Sequence, residues 1–191
     1  MCSARACWSW ACAPRPSWTC ARRRPPTSRT CSRTGEIAWL GALSGSAITL
    51  VDSAYGANRA ADVRRRGWPM DRYSPAFQAT AGGRVLLANE PGLLERLRAR
   101  PVRALTRHTT TSWTRLTATL ESVRDTGIAT EHQECTLGFS CMATGLRDQN
   151  SNLIGILGVT GHTITLSSQR LVQPLRNAAR DITRTLTDTP M

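Results

Sequence analysis

The first 35 residues contain no leucine, isoleucine, valine or phenylalanine, and no aspartate or glutamate. A segment without these side chains cannot supply the packed apolar core that a domain needs. It holds instead seven arginines (Arg5, Arg15, Arg22, Arg23, Arg24, Arg29, Arg33), five of the seven cysteines (Cys2, Cys7, Cys12, Cys20, Cys31) and the stretch CWSWACAPRPSWTC. From Glu36 onward the mixture is that of an ordinary protein. The fold must therefore lie in the remaining ~155 residues, which is ample for one core.

The formal charge of +12 is divided along the same line, leaving +5 after residue 35. A basic tail of this kind suggests nucleic acid or an anionic membrane surface. The cysteine count is odd and the spacing fits no zinc ribbon. No apolar run has the length of a signal sequence or a membrane span. The body therefore reads as cytoplasmic, with reduced thiols and no membrane contact.

All 25 basic residues are arginine and none is lysine, which points to a GC-rich gene. In such a gene the other reading frames stay open and are rich in Arg, Pro, Ser, Ala, Cys and Trp. Back-translation tests this. Residues 7–13, spelled TGC TGG AGC TGG GCC TGC GCC and regrouped from one base earlier, become a leucine-rich segment ending Leu-Glu-Leu-Gly-Leu-Arg. The same shift turns PSWTCARR into Glu-Leu-Asp-Leu-Arg-Glu and PTSRTC into His-Leu-Ala-Asp-Leu. These are leucines at helical spacing between charges. Residues 1–32 are accordingly expected to be an out-of-frame segment; the alternative is a genuine disordered basic tail. Residues 33–188 are expected to form the domain.

Within the body, residues 36–54 predict two short strands around a turn at 44–46. Residues 55–72 are polar, and the arginine run at 64–66 reads as a solvated face. In QATAGGRVLLA, Thr80 caps a helix that starts over small residues. Residues 89–92 end it and LLERLRAR begins another. Over 112–126, Trp113, Leu116, Leu120 and Val123 share one helical face, and Gly127 closes the helix. Strands and a connector over 128–148 lead to the turn QNSN. LIGILGVTG reads as a central strand buried on both faces. A last helix over about 167–187 aligns Leu171, Leu175, Ala178, Ile182 and Leu186. The fold class is α+β, an antiparallel or mixed central sheet covered by helices.

In order, TGEIAWLG, ITLVD, QATAGGRVLLA, VRDTGIAT, ECTLGFSCMATGLRD, LIGILGVTG and NAARDITRTL resemble the effector-binding domain of the IclR family of bacterial transcriptional regulators, over about 34–186. The frame-shifted peptides look like the family's linker helix. The resemblance implies a GAF-like sensor, not an enzyme, that binds a small organic acid or aromatic compound and needs no cofactor or metal. It also implies a homo-dimer or tetramer that reaches operator DNA through a winged helix-turn-helix, which is not expected within this sequence. The rival reading is a small basic nucleic-acid-binding protein that uses the arginine-rich N-terminus for phosphate contacts.

Carried over by position, the effector-binding candidates are Ala81, Gly82, Glu131, Cys141, Gly158 and Thr160. Ala81 and Gly82 at a helix N-terminus would leave backbone N–H groups for a carboxylate. Glu131 would accept from a ligand hydroxyl, and Thr160 would donate to a ligand oxygen. Gly158 stands where the family often has serine, which removes a donor and is expected to add room. The plainer reading is that Ala81 and Gly82 only permit close helix–sheet packing, and that Cys141 is a buried small hydrophobe. Glu134 is expected to fix its loop by hydrogen bonds, and Gly138 to supply a special backbone angle. His108 reads as a surface residue. A Cys141 nucleophile with His132 or His162 lacks an evident third member. His132, Cys135 and Cys141 are irregularly spaced for zinc.

Overall fold

Strand pairing organises the molecule. The computed structural model describes residues 36–44, 47–62 and 77–187. The segment 1–32, the turn residues 45–46 and the arginine run 64–66 lie outside the described residues. Strands β1 (Ile37–Ser44) and β2 (Ala47–Ala54) form the expected antiparallel pair, with a register shift between Leu40 and Gly41. Strands β3 (Ile128–His132), β4 (Phe139–Arg147) and β5 (Leu153–His162) complete a five-stranded sheet in the order β2-β1-β5-β4-β3, antiparallel at each pairing. The apolar run predicted to be central is central. β5 lies between β1 and β4, and its residues 155–159 are buried without interruption.

Local chemistry explains where the helices begin and end. Thr80 caps α1 (Ala81–Asn89) by accepting a hydrogen bond from the Gly83 amide. Helix α2 (Pro91–Arg98) starts two residues before LLERLRAR, because proline already has helical φ and no N–H to lose at the first position. Ser112 caps α3 (Trp113–Thr126), and Gly127 closes it in the left-handed conformation at φ 70°. Leu116, Leu120 and Val123 are buried as their spacing predicts, whereas Trp113 stays half-buried and donates its Nε1–H to the Arg100 carbonyl at 3.0 Å.

The sheet has a packed layer on each face. On one, α1, α2 and α3 bring Val85, Leu86, Leu87, Leu93, Leu94, Leu116 and Leu120 against Trp39, Ile48, Cys141, Ala143 and Ile156. On the other, α4 (Ser168–Thr187) lays Leu171, Leu175, Ala179 and Ile182 against Ala38, Met142, Leu157 and Val159. Ala179 takes the buried place that the sequence assigned to Ala178. Ala178 and Leu186 flank the contact and stay half-buried. This is an α+β domain with helices on both faces of the sheet, and the first face carries the candidate site.

Candidate effector site

The register places three of the candidate side chains in one row. Glu131 is opposite Cys141, and Cys141 is opposite Thr160. Successive residues of a strand point to opposite faces, so a cross-strand row of this kind shares one face. Glu131 and Cys141 are buried, while Thr160 is half-buried. Ala81 and Gly82 are buried at the start of α1, the helix over this face, and Ala81 belongs to the same apolar cluster as Trp39 and Cys141. The close start of α1 depends on Gly83, because a Cβ there would stand 1.9 Å from the Phe77 carbonyl oxygen. Thr80 holds the same corner by donating its hydroxyl to that carbonyl at 2.9 Å.

The next row decides the shape of the site. Trp39 lies opposite Gly158, and its indole occupies the space above that glycine. A Cβ on Gly158 would come within 2.1 Å of Trp39 Cζ2. The room expected from a glycine at this position is therefore taken by a tryptophan from the neighbouring strand. Trp39 is 1% exposed and donates its Nε1–H to Thr160 Oγ1 at 3.1 Å. Thr160 in turn donates its hydroxyl proton to Cys141 Sγ at 3.1 Å. A hydroxyl has one proton and two acceptor positions. With the proton directed to sulfur and one position filled by the indole, two of the three hydrogen-bonding positions of the Thr160 hydroxyl are engaged.

The buried acid has its own surroundings. Glu131 Oε2 accepts the Glu134 amide at 2.9 Å. Burial pushes its carboxyl up to about 7, against the opposing pull of the backbone N–H of Glu134 and the positive charge of Arg84. The Cys141 thiol is pushed up to about 12, by burial first and the nearby Glu131 second. It is thus a buried, protonated thiol at neutral pH. His162 is engaged elsewhere, with Nε2 3.4 Å from Asp62 and its ring against Phe139. His132 is exposed and follows Glu131 on the strand, so it points to the opposite face. Among the described residues, no group of three or more His, Cys, Asp and Glu is placed to hold a metal ion.

Arg84 is a structural part of this site that the sequence pattern did not single out. From α1, it donates to the Gln78 carbonyl (3.2 Å), the Thr130 carbonyl (2.7 Å) and Glu134 Oε2 (2.6 Å). Glu134 also receives the Thr110 amide at 2.8 Å, so it fixes its loop as expected. Gly138 sits at φ 78° in that loop. This buried ion pair ties α1 to β3 and to the 105–110 segment. A clue was present in QATAGGRVLLA, where one guanidinium sits among small and apolar residues and must find partners if the helix is buried. Trp39 offered no such clue, because its importance depends on which residue of β5 lies beside it.

Comparison with known proteins identifies the family and the fold. Residues 20–184 match the family model described as bacterial transcriptional regulator IclR C-terminal. The HTH-type transcriptional regulator BhcR of Paracoccus denitrificans is 32% identical over 152 residues, which cover 78% of this chain and 53% of that protein. The chain thus spans about half the length of that relative. The crystal structure of the Thermotoga maritima IclR superposes with a TM-score of 0.71 at 25% identity, covering 84% of this chain and 65% of that one. An IclR homolog from Microbacterium hydrocarbonoxydans, crystallised in complex with 4-hydroxybenzoate, shares the fold with a TM-score of 0.73 at 19% identity, covering 85% of this chain and 65% of that one. The chain belongs to the bacterial transcriptional regulator IclR C-terminal family, the effector-binding domain of these regulators.

Proposed function

We propose that this domain senses a small organic or aromatic acid at the site formed by Ala81, Gly82, Glu131, Cys141, Gly158 and Thr160, and that it does so without catalysis. The observation that carries this reading is the polar row Glu131–Cys141–Thr160, set in an otherwise apolar layer beneath the start of α1. The backbone N–H groups and dipole at the start of α1 suit a carboxylate at one end of the ligand. The row suits a polar substituent at the other. The 4-hydroxybenzoate held by the Microbacterium homolog has this two-ended chemistry.

The response is a population shift. A ligand that binds one arrangement of a homo-dimer or tetramer better than another changes the spacing of DNA-reading heads. We assign those heads to the part of such a regulator that the match does not cover. Among the described residues, no helix is long and apolar enough to cross a membrane, and we place the protein in the cytoplasm with operator DNA as its second partner.

Titration calorimetry of the full chain with pyruvate, benzoate and 4-hydroxybenzoate tests the site. Saturable binding of at least one is expected, and Gly82→Leu should abolish it while leaving the far-ultraviolet circular dichroism unchanged. Absence of binding to all three, or undiminished binding by a folded Gly82→Leu variant, refutes the reading.

A further inference from the structure

We propose that Trp39 sets the ligand selectivity of this site: it fills the space over Gly158 and engages the Thr160 hydroxyl, so the site selects a compact ligand whose buried end carries a hydrogen-bond donor, a hydroxyl or amino group, over the same ligand bearing an ether there. The inference rests on the effector reading above and adds to it the residue that sets the size and polarity of the ligand's buried end.

Two observations carry it. The first is steric. Trp39 and Gly158 are direct cross-strand partners, and the indole approaches the glycine so closely that Cζ2, Cε2 and Cη2 would lie 2.1, 2.3 and 2.7 Å from an added Cβ. No ligand atom can enter that volume while the ring is there, so a ligand reaching this row meets Thr160 and Cys141 beside the indole. The second is the direction of the hydrogen bonds. The chain runs from the indole N–H to Thr160 Oγ1, and from Thr160 to Cys141 Sγ, each at 3.1 Å. The indole can only donate, so it fills one acceptor position of the threonine oxygen, and the threonine proton points to sulfur. The position left on Thr160 is a lone pair. A ligand hydroxyl or amine satisfies it; an ether oxygen meets it lone pair to lone pair. Buried polar groups left unpaired in this way discriminate between ligands more strongly than a change of size does.

Phenylalanine at position 39 keeps a ring but is smaller than the indole and removes its donor, which makes room beside Thr160 for the methyl group of an ether. Valine at position 160 keeps the shape and removes the acceptor. These changes act on opposite members of a ligand pair and are distinguishable from a general loss of structure.

The test is titration of the full chain with 4-hydroxybenzoate and 4-methoxybenzoate at pH 8, where Glu131 is mostly ionised and, like Thr160, accepts only. The wild-type chain should favour the hydroxy compound by about ten-fold or more. Trp39→Phe should bring that ratio toward one by strengthening methoxy binding. Thr160→Val should do so by weakening hydroxy binding alone. Should Trp39→Phe lose its cooperative melt, the Thr160→Val ratio decides. A wild-type preference for the methoxy compound, or an unchanged ratio in the folded variants, overturns the role of Trp39 while leaving the effector site intact. Binding of neither compound by the wild-type chain overturns the aromatic-acid reading and this proposal with it.

Discussion

Replacing Glu131 with glutamine will flatten the pH dependence of folding stability between about pH 5 and 8. In the folded chain the carboxyl is buried and pushed up from 4.5 to about 7. The folded state therefore holds its proton more tightly than the unfolded state. Its contribution to stability is fully present below about pH 4.5 and is lost as the pH rises through 7. At 1.36 kcal/mol per pH unit, the whole loss is about 3 kcal/mol. For a domain of this size that corresponds to roughly 6–12 °C in melting temperature. The groups facing Glu131 are Arg84, Glu134 and Cys141, together with the backbone amides of Glu134 and Cys135. Glutamine keeps the side-chain shape and an acceptor for the Glu134 amide but carries no charge at any pH. Urea denaturation followed by circular dichroism at pH 5, 6, 7 and 8 reads the effect. The wild-type chain should lose about 2.5 kcal/mol relative to Glu131→Gln across that range, with equal denaturant slopes. A difference between the two proteins that stays constant with pH would refute the argument, because burial of the acid would then not be the cause.

Two further outcomes follow from the same face of the sheet. Gly158→Ala should cost about 1–3 kcal/mol through overpacking against Trp39, and Trp39→Leu in the same chain should recover part of that cost; strict additivity of the two changes would contradict the contact. Iodoacetamide at pH 8 should leave Cys141 unlabelled in the folded chain while Cys135 reacts, since the Cys141 thiol is pushed up to about 12 and is 8% exposed. Peptide mass spectrometry before and after urea checks this, and rapid labelling of native Cys141 would show that the site is open or the thiol activated.

What could be read from sequence follows the range of the interactions involved. Thr80, Ser112 and Gly127 mark helix ends through bonds to residues three or four positions away, so their meaning is contained in a short window. The one early start, at Pro91, obeys an equally local rule. The candidate row was named by position in a familiar order of segments. Its geometry was not visible there, because Glu131, Cys141 and Thr160 are brought together by two strand pairings. Arg84 was half legible, as a charge in a buried helix without its partner. Glu134 lies 50 residues further on.

Composition and pattern determined that β5 is central and that the domain is α+β with helices over its sheet. Those properties depend on hydrophobic period and chain punctuation, which are local. The tertiary structure alone decided what stands above Gly158. A glycine in a strand signals close approach by something, but the sequence does not say by what. Trp39 reaches it across a pairing that joins residues more than a hundred positions apart. That register fills an expected opening with a tryptophan and ties the Thr160 hydroxyl to the indole and to Cys141, since a hydroxyl's partners are set by its neighbours and not by its own chemistry.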